Sequence, residues 1–83
     1  IPLAYRSQPL RLKLRSADLS GVKGYSYVVD NKPDTDVARK INAGTGELVV
    51  RDLPEGHNVY VHVRACDRAG NWGPVSHLRF YVP

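Results

Sequence analysis

Three histidines and one cysteine, His57, His62, His77 and Cys66, carry the most versatile chemistry in this 83-residue chain. An imidazole beside a thiol can bind a metal or form a nucleophile pair. Alternating strand patterns around them put His62 and Cys66 on one face of a segment and His77 on the matching face of the next. If Ala65 pairs with Leu78 and Val63 with Phe80, Cys66 stands beside His77, Arg64 beside Arg79 and His62 beside Tyr81. Two ligands are too few for a closed zinc site, and no carboxylate is clearly placed to orient the imidazole. The expectation is exposed sheet residues, with no catalytic group, no metal and no cofactor.

Oxygen ligands gather in two loops, Asp67-x-Ala69-Gly70-Asn71 and Asn31-x-x-Asp34-x-Asp36. Calcium takes six to eight oxygens, and neither loop has the spacing of a calcium loop. Turn chemistry accounts for the first: Asp67 and Asn71 bond local backbone amides while Gly70 supplies a positive φ. Gly24, Gly56 and Gly73 are read as turn residues too. Trp72 stands in a glycine-flanked loop, where an indole can stack on a sugar or fold back to cap the core, and capping is the reading preferred here. Aromatics mixed with arginines suit interfaces, so the candidate contact face is Tyr60, His62, Arg64, Arg79 and Tyr81, joined by Ser26, Val28 and Asp30.

The elements that position these groups follow from period-two alternation. Leu10, Leu12 and Leu14 alternate with Arg11, Lys13 and Arg15, giving a half-buried strand with a basic outer row that Glu47 or Asp52 can offset. Tyr25 to Asp30 is rich in strand formers, with Tyr25, Tyr27 and Val29 inward. Asn31 to Asp36 breaks the sheet around Pro33. Val37 to Gly46 reads as a short edge strand or an irregular crossing. Leu48 and Val50 point inward in the next strand, which ends at the corner Asp52-Leu53-Pro54-Glu55-Gly56.

The strongest strand comes next, with Val59, Val61, Val63 and Ala65 on one face and Tyr60, His62, Arg64 and Cys66 on the other. A turn from Asp67 to Pro74 leads to Ser76–Val82, with Leu78, Phe80 and Val82 inward. No stretch has helical spacing with caps. Val61, Val63, Leu12, Leu78, Phe80, Tyr27 and Leu48 should share one core. Short strands at this spacing indicate an all-β sandwich.

Leu53-x-x-Gly56, the valine strand, the Asp67-x-Ala69-Gly70-Asn71 turn and the final strand resemble the second half of a fibronectin type III domain. Ser20-Gly21-Val22-x-Gly24-Tyr25-Ser26-Tyr27 and His62-Val63-Arg64-Ala65-x-Asp67-x-Ala69-Gly70-Asn71-Trp72-Gly73 are similar to the fibronectin-like or Ig-like repeats of large bacterial secreted and surface proteins. The resemblance covers Leu10 to Val82 and implies an antiparallel sandwich of about seven strands. It departs from the pattern at Val59, where the family usually has an aromatic, so that the tyrosine corner is missing or is taken over by Tyr60, and at Leu14, where a Trp is common. Leu3-Ala4-Tyr5 is the candidate first strand. By resemblance, the chain is a non-catalytic accessory module that spaces or docks neighbouring domains outside the cell or at its surface. The alternative is a carbohydrate- or protein-binding module using the Tyr and Arg face or the loop tips.

Composition fits this reading. Eighty-three residues suit one domain near the low end of what buries an adequate core. The chain has no methionine and opens Ile1-Pro2-Leu3, as expected of a piece of something longer. A single cysteine excludes an internal disulfide. The net charge of +4 comes without basic runs or zinc-finger spacing, which argues against nucleic acid. No apolar run approaches the roughly 20 residues of a membrane-spanning helix.

Overall fold

The computed structural model of the chain describes residues 2–14, 21–44 and 46–83. Arg15 of the basic row and part of the loop before Gly21 lie outside the described residues, as does Thr45. Five strands form: β1 (Leu10–Lys13), β2 (Val22–Asp30), β3 (Glu47–Val50), β4 (His57–Asp67) and β5 (Ser76–Val82). There is no helix among the described residues. β1 pairs antiparallel with β3, and β2, β4 and β5 make a second antiparallel sheet with β4 in the middle.

The inner faces meet in one cluster of Leu48, Val50, Leu53, Val59, Val61, Phe80 and Val82, with Ala4 added from the N-terminal segment. Leu10, Leu12, Leu14, Tyr27 and Val29 pack against it half-buried. Apart from Leu53 at the corner and Ala4, these are residues that alternation turns inward, and their removal from water is the main stabilising term in a domain of this size. On the outside of β1 and β3, Arg11 Nη1 meets Glu47 Oε1 at 3.0 Å, which offsets the basic row.

Two expectations about the core are corrected. Leu78 is 37% exposed although its neighbours Phe80 and Val82 are buried. The covering sheet explains this: four-residue strands reach about 13 Å, while the 11 residues of β4 run about 36 Å. Val63 is buried, but lies outside the shared cluster for the same reason.

The β4–β5 register also differs from the expected one. Leu78 pairs with Val61, Phe80 with Val59, His77 with His62 and Arg79 with Tyr60. Each partner on β4 is four residues earlier than expected. The cause is the tight Asp67–Asn71 turn, after which Trp72 already pairs with Cys66. Asp67 Oδ1 accepts from the amides of Ala69 (2.9 Å) and Asn71 (2.8 Å), and Gly70 sits at φ 87°. A slip by an even number leaves every side chain on its expected face and changes only its neighbours.

Both edges of the three-stranded sheet are occupied. Leu3 makes a parallel bridge to Tyr81 on the β5 side. On the β2 side Ala43 pairs with Tyr25, and the Asn42 side chain accepts from the Tyr27 amide and donates to the Tyr27 carbonyl, both at 2.9 Å. That carboxamide mimics a strand residue and blunts the edge. Gly24 is not a turn residue but stands inside β2, where a Cβ would lie 2.8 Å from Ile41 Cγ2 and 3.1 Å from the Ala43 carbonyl. Only glycine lets the crossing chain approach so closely.

Candidate functional site: a carboxylate and two imidazoles on the outer sheet face

The outer face of β4 carries Tyr60, His62, Arg64 and Cys66, and a wetted surface was expected there. Instead the chain between β2 and β3 folds over it. His62 is fully buried, Cys66 and Ser26 nearly so, and Val37 in the crossing segment is 1% exposed. The centre strand is thus covered on both faces, although only its inner face has the composition that announces burial.

Arg64 holds the cover in place. Its Nε and Nη2 donate to the Gly73 carbonyl at 3.1 and 2.9 Å, and its Nη1 donates to the Val37 carbonyl at 3.0 Å. One guanidinium therefore ties the crossing to the loop before β5, using the fork of donors that distinguishes arginine from lysine. Asp36 lies 3.9 Å away with a side chain 91% exposed, so it adds little. Arg64 is a clamp and is not free for a partner.

His62 sits between a carboxylate and a second imidazole. Its Nε2 lies 2.8 Å from Asp30 Oδ1, and its Nδ1 lies 2.6 Å from His77 Nδ1. Asp30 also accepts from the Lys32 amide at 3.0 Å and from the Thr35 hydroxyl. Burial pushes the Asp30 carboxyl up. Donation from Thr35, His62 and the Lys32 amide, together with the charge of His62, outweighs that effect and brings the carboxyl from its ordinary 3.8 down to about 2. An ionised Asp30 only accepts, so His62 Nε2 carries the hydrogen between them. The Tyr60 ring stacks on His62, centroids 6.0 Å apart and planes 9° apart, and His77 meets His62 edge-on at 4.9 Å.

The expected orientation of groups changes accordingly. A carboxylate does orient an imidazole, and it is Asp30 with His62. The expected Cys66–His77 pair does not form, because the register puts His77 opposite His62 and Cys66 opposite Trp72. Cys66 is buried and its thiol donates to the Asp67 carbonyl at 3.5 Å. Trp72 is half-buried on the outer face with Cys66 and is not among the residues packed on the shared core, so it does not cap that core. Of the expected contact face, His62 and Arg64 are withdrawn, Tyr60 is half-buried, and Arg79 and Tyr81 stay exposed. His57 is exposed at the start of β4. Alternation places Asp30 on the outward face of β2; what spacing does not signal is the crossing that encloses it.

Among the described residues no group of three or more His, Cys, Asp and Glu could hold a metal ion. An open groove of about 520 Å³ runs between the edges of β2 and β3, lined in part by Tyr27, Asn42, Arg51 and Asp52. Comparisons with protein-family models, with curated proteins and with solved structures found no match.

Proposed function

We propose that this chain is a non-catalytic, fibronectin type III-like module that docks or spaces neighbouring domains of a larger extracellular or cell-surface protein. The observation that carries the reading is where apolar surface remains. Leu3 (54% exposed), Tyr5 (50%) and Tyr81 (39%) gather along the β5 edge. Leu3 pairs with Tyr81, and Arg79 projects from the same side of β5 as Tyr81. Exposed aromatic and arginine side chains gathered in one place are what a docking contact uses. Two features support the sandwich family: the sheets share one core, and the segments at Leu3 and Ala43 stand at the two edges where further strands would complete a set of seven.

The test compares amide chemical shifts of this chain alone with those of the same chain joined to its native neighbours. Docking predicts changes at Leu3, Tyr5, Arg79 and Tyr81, abolished by Tyr5→Ser with Tyr81→Ser. Unchanged shifts throughout would reduce the module to a spacer. Changes centred on the groove beside Tyr27 and Arg51 would overturn the assignment of the docking edge and favour the ligand-binding alternative.

A further inference from the structure

The line between His62 Nδ1 and His77 Nδ1, 2.6 Å long, has room for one hydrogen. Since His62 Nε2 gives its hydrogen to Asp30, a neutral His62 presents a lone pair at Nδ1, and His77 Nδ1 donates to it. The exposed His77 ring can take one proton from solvent at its Nε2 without disturbing that bond. The proton's charge is then shared along the chain toward Asp30. A second proton has only one place left, His62 Nδ1, and it would point N–H at N–H.

We infer that His62 and His77 form a proton-counting latch: closed with no added proton or one, and opened when the second arrives, releasing the β5 ring of His77 from His62, which Asp30 of β2 holds. The surroundings favour this order. From β2, Asp30 is the one carboxylate bonded to the pair. From the crossing, Thr35 bonds to Asp30, Lys32 touches it only through its main-chain amide, and Asp36 lies by Arg64. From β4, Tyr60 stacks on His62, and Arg64 stands two residues further on the same face. From β5, Arg79 projects from the face that carries His77, opposite Tyr60. Two imidazolium rings would then face, among the described residues, one bonded carboxylate, and His62 is too buried for water to screen the excess. Opening frees His77 on the exposed side of β5 and so changes the charge and shape of that face once the second proton is taken up.

Imidazole ¹⁵N spectra of the native chain test the geometry directly. A two-bond coupling between the two Nδ1 nuclei is expected at pH 7.5. It should vanish together with uptake of the second proton on acidification. Absence of that coupling at pH 7.5, or two rings that titrate as independent groups, overturns the latch. A second readout uses His77→Gln, whose carboxamide can donate to a neutral His62 and accept from a charged one, so that no proton is refused. An unfolded chain binds protons on both histidines below about pH 6. A closed latch holds one fewer, so the folding constant of the native chain should fall up to tenfold per pH unit more steeply than that of His77→Gln between pH 6 and 5. His57 is present in both chains, so its contribution cancels. Parallel profiles would show that the second proton meets no resistance, and would also overturn the latch.

Discussion

The two faces of β4 are both buried, but by different chemistry. On the inner face Val59 and Val61 join aliphatic neighbours in a shared cluster, where contacts are non-directional and tolerate small shifts. On the outer face His62, Arg64 and Cys66 are enclosed by a chain crossing, where each polar group needs a partner at a set distance. Among the described residues no buried side-chain nitrogen or oxygen lacks a hydrogen bond, so the outer face is fully satisfied. The comparison teaches that a polar row on a strand marks a face, not a wet surface.

The largest test of the comparison is Arg64→Ala, which should cost about 3 kcal/mol or more in a urea titration. It removes three charged donations and leaves the Gly73 and Val37 carbonyls without their partner, each worth about 1–3 kcal/mol when buried. A cost below about 1 kcal/mol would mean that the cover holds without its clamp. Val61→Ala, on the inner face, should cost about 2–3 kcal/mol, the transfer of two methyl groups plus the cavity left behind. If the arginine proves the more costly of the two, the outer face is as structural as the core.

Acid probes the same face through a different group. Asp30 has its carboxyl lowered from 3.8 to about 2 in the folded chain. A lowered carboxyl gives stability that is complete above the unfolded value and is lost as pH falls through the folded one. Stability should therefore drop between about pH 4 and pH 2 in the native chain. In Asp30→Asn that part of the drop should be missing, while stability at neutral pH is lower because His62 loses its anionic acceptor. Thermal midpoints from pH 7 to 2 would measure both, and identical acid limbs would remove Asp30 from the network.

How much of this was legible follows from the same contrast. Leu48, Val50, Val59, Val61, Phe80 and Val82 show their inward facing through period-two spacing, a local property of the chain. The Asp67 turn was legible because its bonds span four residues or fewer. Register was not, since the tight turn slides β5 by four residues and only parity survives. The His62–Asp30 bond joins residues 32 apart, and it depends both on register and on where the 31–43 crossing lies. Nothing in the spacing of Pro33, Val37 and Ile41 announces that crossing as a lid. Gly24 carried the one hint: a glycine inside a strand marks a close approach by another part of the chain.

The smallest expected effect sets the scale for the others. Lys13 and Arg64 are both cations on the outward row of a strand, so alternation alone gives them the same standing. Lys13 is exposed on β1, a strand whose outer face no segment crosses among the described residues. Its nearest cross-strand partner is Glu47, whose carboxylate is already engaged by Arg11. Removing the ammonium forfeits little attraction in water and relieves some repulsion from Arg11, so Lys13→Ala should change stability by about 0.5 kcal/mol or less. Measured beside Arg64→Ala under one set of conditions, it isolates what enclosure adds to a charge. Equal urea midpoints for the two variants would show that the crossing does not cover the outer face, and with it would fall the enclosure of His62 on which the latch depends.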